Sequence, residues 1–316
     1  MRRRIFTVLR VLAYVLVVLF LGSQLWRARH GMVDSVRTVG LGNALLAAVL
    51  AGVGGLPGMF GWRVLLAGLG TRLPTREALR VYFVGGLARY IPGGVWPAVA
   101  HASMAASLGE PPARLAAAFL ASQGLAVVAG LLVGLLALPA LVAVSPLWWL
   151  LLPVLAAAAV PVLAPGTLRA PLTLGARLLR RSTTLELPGR AALSKATALM
   201  ALGWLISGTH VAVLAVALGA DPIATLTVGI GGFALSVVAG VVALVLPSGL
   251  GVRELVLGLT LATLLTGPAL VTVVALSRIL ITVVDAVSTL VVLAALGVLR
   301  RPARVPAPLA LERIPS

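Results

Sequence analysis

Leu87-Ala88-Arg89-Tyr90-Ile91-Pro92-Gly93-Gly94 and Leu246-Pro247-Ser248-Gly249-Leu250-Gly251-Val252-Arg253-Glu254 are the two stretches that decide the fold. Each interrupts an apolar run with a proline followed by glycines and places an arginine beside the interruption. Proline removes an amide donor and clashes with the preceding turn, and glycine weakens any helix that tries to continue. Around the first interruption, over 75–107, each flanking piece has about 15 residues, fewer than the roughly 20 that a helix needs to cross a bilayer. The expectation is a broken, re-entrant helical hairpin there and a second one over 223–266, with breaks at Pro92, Gly93, Gly94, Pro247, Gly249 and Gly251.

Outward from these breaks the chain reads as apolar spans over about 5–26, 41–66, 109–138, 146–165, 196–218 and 268–299. Of the 316 residues, 60% are hydrophobic and 10% charged, with a mean hydropathy of +1.12. Soluble domains carry about 25% charged residues, so an ordinary soluble fold is excluded. The fold class expected is all-α: a single polytopic transmembrane domain over 1–316, with six full spans plus two broken hairpins, up to eight spans in all. A signal peptide is the alternative for the first span, but its apolar region would be shorter, and Gln24-Leu25-Trp26-Arg27 offers no small-residue cleavage site. With no cysteine, disulfides, thiolate nucleophiles and iron–sulfur clusters are excluded.

The 25 basic residues against 8 acidic ones give +17, and Lys195 is the only lysine. The arginines cluster between apolar runs, which is the pattern of a topology signal. Arg2-Arg3-Arg4, Arg72, Arg76 and Arg80, the basic loop 165–195 and the tail 301–316 are assigned to the cytoplasm, which puts both termini there. The location expected is a bacterial-type plasma (inner) membrane, crossed several times.

A shift of 155 positions sets Pro92 on Pro247, Gly94 on Gly249, and Ser122-Gln123 on Ser277-Arg278. Halves 1–143 and 146–300 then share one order of spans and breaks, while the charge assignment starts them on opposite sides. Inverted repeats with interrupted helices are a transporter architecture whose substrate sites lie where the broken helices meet.

The candidate binding residues follow from this layout. Arg89 and Tyr90 precede the first break, where a guanidinium can grip a phosphate bidentately; the plainer reading is an arginine snorkelling to the interface with its tyrosine. Arg253 and Glu254 follow the second break. Glu254 in a first helical turn is also simply favoured by the helix dipole. Arg278 and Asp285 lie seven residues apart inside the last span, on one face. They form either a headgroup site or a structural ion pair, since intramembrane charge is costly without a purpose. His101 is a further headgroup candidate. His210 and Gln123 read as polar glue between helices.

Enzyme signatures are missing. There is no His-Glu-x-x-His motif, no P-loop and no Gly-x-Ser-x-Gly elbow. A paired-carboxylate mechanism would need Glu254 and Asp285 to converge. No histidines or carboxylates sit at metal-ligand spacing, and the basic loop has no interleaved aromatics, so neither a metal, a cofactor nor a nucleic acid is expected.

Arg80-Val-Tyr82-Phe…Leu87-Ala-Arg89-Tyr90-Ile91-Pro92-Gly93-Gly94-Val95-Trp96 with Gly109, and Leu246 to Glu254 with Arg278 downstream, resemble the lysylphosphatidylglycerol synthase transmembrane-region family. The two signatures span nearly the whole chain. That family includes the membrane portion of multiple peptide resistance factors, which moves aminoacylated phosphatidylglycerol between leaflets. The resemblance implies a protein that binds and flips an anionic lipid, such as an aminoacyl-phosphatidylglycerol or a polyprenyl-phosphate-linked sugar. The alternative is an accessory scaffold that docks a separate transferase through the loop 165–195. Two departures stand out: the 316 residues hold no counterpart of the domain that transfers lysine from its tRNA, so no enzyme activity is expected, and Gln123 stands where family members often carry an acidic residue.

Overall fold

The computed structural model describes residues 2–91, 95–164, 166, 188–243 and 249–297, with the side chains of 2–21, 24, 25 and 27–30 left aside. The described residues are helical, with no strand among them. In chain order they form α1 (Arg2–Val53), α2 (Gly55–Gly68), α3 (Thr75–Gly86), a 3-10 turn (Leu87–Tyr90), α4 (Trp96–Met104), α5 (Pro112–Gly134), α6 (Leu138–Val144) and α7 (Leu151–Leu163). After the basic loop come α8 (Arg190–Ala217), α9 (Pro222–Val242), α10 (Val252–Leu261) and α11 (Gly267–Ala295). Pro92, Gly93, Gly94, Pro247, most of the loop 165–195 and the tail 301–316 lie outside the described residues.

Among the described residues, six segments are long and apolar enough to cross a membrane: Gly31–Gly68, Pro112–Val144, Pro146–Leu163, Arg190–Ala217, Pro222–Val242 and Gly267–Ala295. The chain is therefore a multi-pass helical membrane protein. Backbone groups in lipid must be satisfied within the segment, and helices are what this sequence offers to do so. Large side chains such as Leu41, Leu147, Ile223 and Val291 are exposed on the outer surface, as a lipid-facing belt requires.

Two features differ from the expected layout. The two hairpins are unequal: α3 has 12 residues, whereas α9 has 21 and reaches span length by itself. The reason is local. α9 contains no charged residue and is opened by Asp221, whose Oδ1 accepts from the Ala224 amide at 2.7 Å ahead of Pro222 in the first turn. α3 instead opens on the polar Thr75-Arg76-Glu77. In addition, the helix does not stop between the first two expected spans. It runs on through 27–39 and bends at Gly40, whose φ of 67° and ψ of 163° break the helical path. The side chains of the expected first span, 5–26, fall almost wholly outside the described ones.

α8 is the central helix, packed against α1, α2, α5, α9 and α11. Its approach to the α1–α2 junction is as close as backbones allow: a Cβ on Gly203 would sit 2.8 Å from the Gly54 carbonyl oxygen, and one on Gly54 would sit 2.6 Å from the Ser207 Cβ. Small residues at such crossings are what drives helix association in lipid, where no hydrophobic gain is available. Gly203→Val is accordingly expected to destabilise the protein by about 1–3 kcal/mol through overpacking. Thermal unfolding in detergent checks this. Gly124→Ala, at a glycine with nothing within 4 Å of a new Cβ, should leave the midpoint unlowered or raise it slightly, since alanine favours the helix.

Candidate functional site

The 3-10 turn that ends α3 curls Arg89 back on its own helix, where Nε donates to the Gly86 carbonyl at 2.8 Å. The far side of the guanidinium reaches the last helix: Nη1 lies 3.5 Å from Asp285 Oδ2. Tyr90 donates its hydroxyl to the same oxygen at 2.7 Å. Arg89 and Tyr90 thus act together, clasping one carboxylate on α11 with a charge and a hydroxyl. The pair is only half-sheltered, with the Arg89 side chain 47% exposed and that of Asp285 24%.

The second break presents its charges differently. Gly249 and Gly251 both adopt positive φ, 66° and 85°. A Cβ on Gly249 would lie 2.4 Å from the Gly240 Cα, so the chain lies back against α9 where only glycine fits. α10 then begins. Glu254 Oε2 accepts from the Gly251 amide at 2.6 Å, one half of a capping box, while Oε1 lies 3.3 Å from Arg278 Nε on α11. This pair is tight and buried, with Glu254 at 9%. The plain reading of Glu254 as a first-turn acid holds, and the same carboxylate also fastens the second hairpin to α11.

Arg253 turns the other way. Its guanidinium carbon lies 5.9 Å from the Phe233 ring centroid, a cation–π distance. Its stem runs along Gly240, where a Cβ would meet Arg253 Cγ at 2.5 Å. No ion pair or hydrogen bond of Arg253 occurs among the described residues. Arg253 thus lies between α9 and α10 with an aromatic face, and no carboxylate, as its neighbour among the described residues.

Arg253 opens onto a cavity of about 170 Å³ that it shares with Arg89 and Asp285. Gln123, Ser207 and Trp204 contribute further polar lining. Trp204 is held in place by donating its indole N–H to the Ala126 carbonyl at 2.9 Å. The structure therefore brings one arginine from each break to a single hollow between the two halves of the chain. Arg278 and Glu254 do not face it. They line a much smaller recess on the other side of Arg253.

Among the expected pairings, Arg278 and Asp285 are not partners of each other. Each takes a different hairpin, Glu254 in one case and Arg89 with Tyr90 in the other. Glu254 and Asp285 are consequently held apart by separate arginines and do not form a carboxylate pair. His101 lies away from the cavity. It is buried between Trp62 and Phe119, ring centroids 5.6 and 4.6 Å away, with Nδ1 2.7 Å from the Pro97 carbonyl. His210 is a buried strut, its Nε2 2.9 Å from the Ser277 hydroxyl. Ser207 and Trp204 are lining residues that the sequence did not single out, since a serine or tryptophan within an apolar helix carries no pattern of its own. No family model and no curated protein matches the chain.

Proposed function

We propose that this protein binds the phosphate of an anionic lipid in the cavity between its two breaks and moves that lipid between leaflets. The observation that carries the reading is Arg253: a guanidinium set against Phe233 between apolar helices and open to a cavity, with no ion pair among the described residues. Intramembrane cations of this kind mark substrate paths, and guanidinium is the side chain best shaped for phosphate. Arg89 would be the second contact, and Asp285 with Tyr90 would hold it in place. The acyl chains would stay in lipid beside the apolar outer faces of the helices. An aminoacyl-phosphatidylglycerol and a polyprenyl-phosphate-linked sugar both present the phosphodiester that this arrangement suits.

The same reading includes an inverted repeat. At the offset of 155 that aligns the breaks, the first residue of α5, Pro112, falls on the first of α11, Gly267, and α4 begins at Trp96 where α10 begins one residue past Gly251. The long helix of each half packs against the opposite hairpin, α5 on α9 and α11 on α3. Rocking of one half against the other around a fixed site would then expose the cavity to each leaflet in turn. The arginine distribution supports cytoplasmic termini in a plasma membrane.

The test is a leaflet-exchange assay. Vesicles reconstituted with the protein and a fluorescent phosphatidylglycerol are treated with an impermeant quencher. The reading expects quenching well past the half that outer-leaflet lipid alone gives; a plateau at half, equal to that of protein-free vesicles, refutes it.

A further inference from the structure

The cavity's charges do not cancel. Arg89 and Asp285 neutralise one another across 3.5 Å, and Arg253 remains. Among the described residues, the other side chains that line the cavity carry no formal charge. Tyr90 of the 3-10 turn donates to it, and Tyr82 and Phe83 line the cavity from α3. Ser207 and Trp204 line it from α8, Ala51 from α1 and Gln123 from α5. α10 contributes Arg253 alone, because Glu254 is turned toward Arg278. Arg278, two turns from Asp285, is occupied by Glu254 outside this cavity. Among the described residues the site therefore carries a net charge of about +1.

Resting on the lipid-phosphate reading above, we propose that Asp285 is a specificity-determining residue: by neutralising Arg89 it leaves room for one negative charge, so the cavity accepts a monoanionic phosphodiester and disfavours a dianionic phosphomonoester. A diester matches Arg253 alone. A monoester carries about −1.5 to −2 at neutral pH. Its second charge would either go uncompensated in an apolar surrounding or compete with Asp285 for Arg89, and both are costly. Asp285 thus discriminates by repulsion, rejecting the wrong headgroup where Arg253 attracts both.

The test uses the full chain in nonionic detergent, titrated with phosphatidylglycerol and phosphatidic acid of the same short acyl chains. The wild type should bind phosphatidylglycerol about tenfold more tightly than dianionic phosphatidic acid at alkaline pH. Lowering the pH until phosphatidic acid becomes a monoanion should close that gap, with phosphatidylglycerol binding unchanged. Asp285→Asn should cancel or reverse the preference, and adding Arg253→Gln to it should bring the wild-type order back, because the net charge returns to about +1. The pH arm needs no variant and stands even if Asp285→Asn fails to fold. A wild type that binds phosphatidic acid as tightly as phosphatidylglycerol, or an Asp285→Asn protein whose ratio stays within twofold of wild type, overturns the proposal while leaving lipid binding intact. A wild type that binds neither lipid overturns the lipid-phosphate reading and this inference with it.

Discussion

Arg253→Gln should slow the exchange of phosphatidylglycerol between leaflets by about 10- to 100-fold, because a charge-assisted hydrogen bond to phosphate is worth about 1.5–3 kcal/mol. Glutamine keeps much of the stem that runs along Gly240 and retains one donor group, so the change removes the charge and little else. The guanidinium has no partner carboxylate to be stranded by its loss, and the folded protein should be as stable as wild type or slightly more so. Arg253→Lys separates charge from shape. A lysine restores the positive charge but not the planar fork, and should recover only part of the rate. Leaflet exchange at full rate in the Arg253→Gln protein would remove Arg253 from the mechanism.

The second large effect concerns stability. Glu254→Ala takes away the cap on the Gly251 amide and leaves the mostly buried Arg278 guanidinium without the carboxylate that fastens α10 to α11. Losing the cap and this ion pair together should cost about 2–4 kcal/mol. The unfolding midpoint in detergent should fall accordingly. Arg278→Met removes the other member while filling similar space, so the double variant should be markedly more stable than Glu254→Ala. A double variant as unstable as the sum of its parts would show that the two side chains are not coupled.

These two predictions treat neighbouring charged residues in opposite ways, and that contrast was only partly legible in the sequence. That the helices stop on either side of the two Pro/Gly stretches, with Gly249 and Gly251 at positive φ after the second, was legible from residue type, and so Arg89 and Arg253 stand out by position alone. The long apolar helices were legible because length and composition mark them, but which of them are long enough to cross was not: Pro222–Val242, expected as one limb of a hairpin, reaches span length by itself. Which arginine pairs with which acid was not. Arg278 and Asp285 share a helical face seven residues apart, but each is claimed by a hairpin folding back from far away in the chain, and periodicity along one helix carries no information about that. His101 shows the same thing: its place between Trp62 and Phe119 depends on how α4 packs between α2 and α5. The unequal hairpins were missed for a different reason. Aligning the breaks at one offset fixes where the halves correspond but not where each limb starts, and Asp221-Pro222 starts α9 well before the counterpart of Thr75.

What ties these parts together is one cavity receiving one lipid phosphate, and electron microscopy of the protein in nanodiscs rich in phosphatidylglycerol examines that directly. Headgroup density is expected inside the hollow bounded by Arg89, Arg253 and Asp285, with phosphate within hydrogen-bonding distance of the Arg253 guanidinium. Ordered headgroups found only on the outer surface of the helices, with the hollow holding nothing but water, would contradict it.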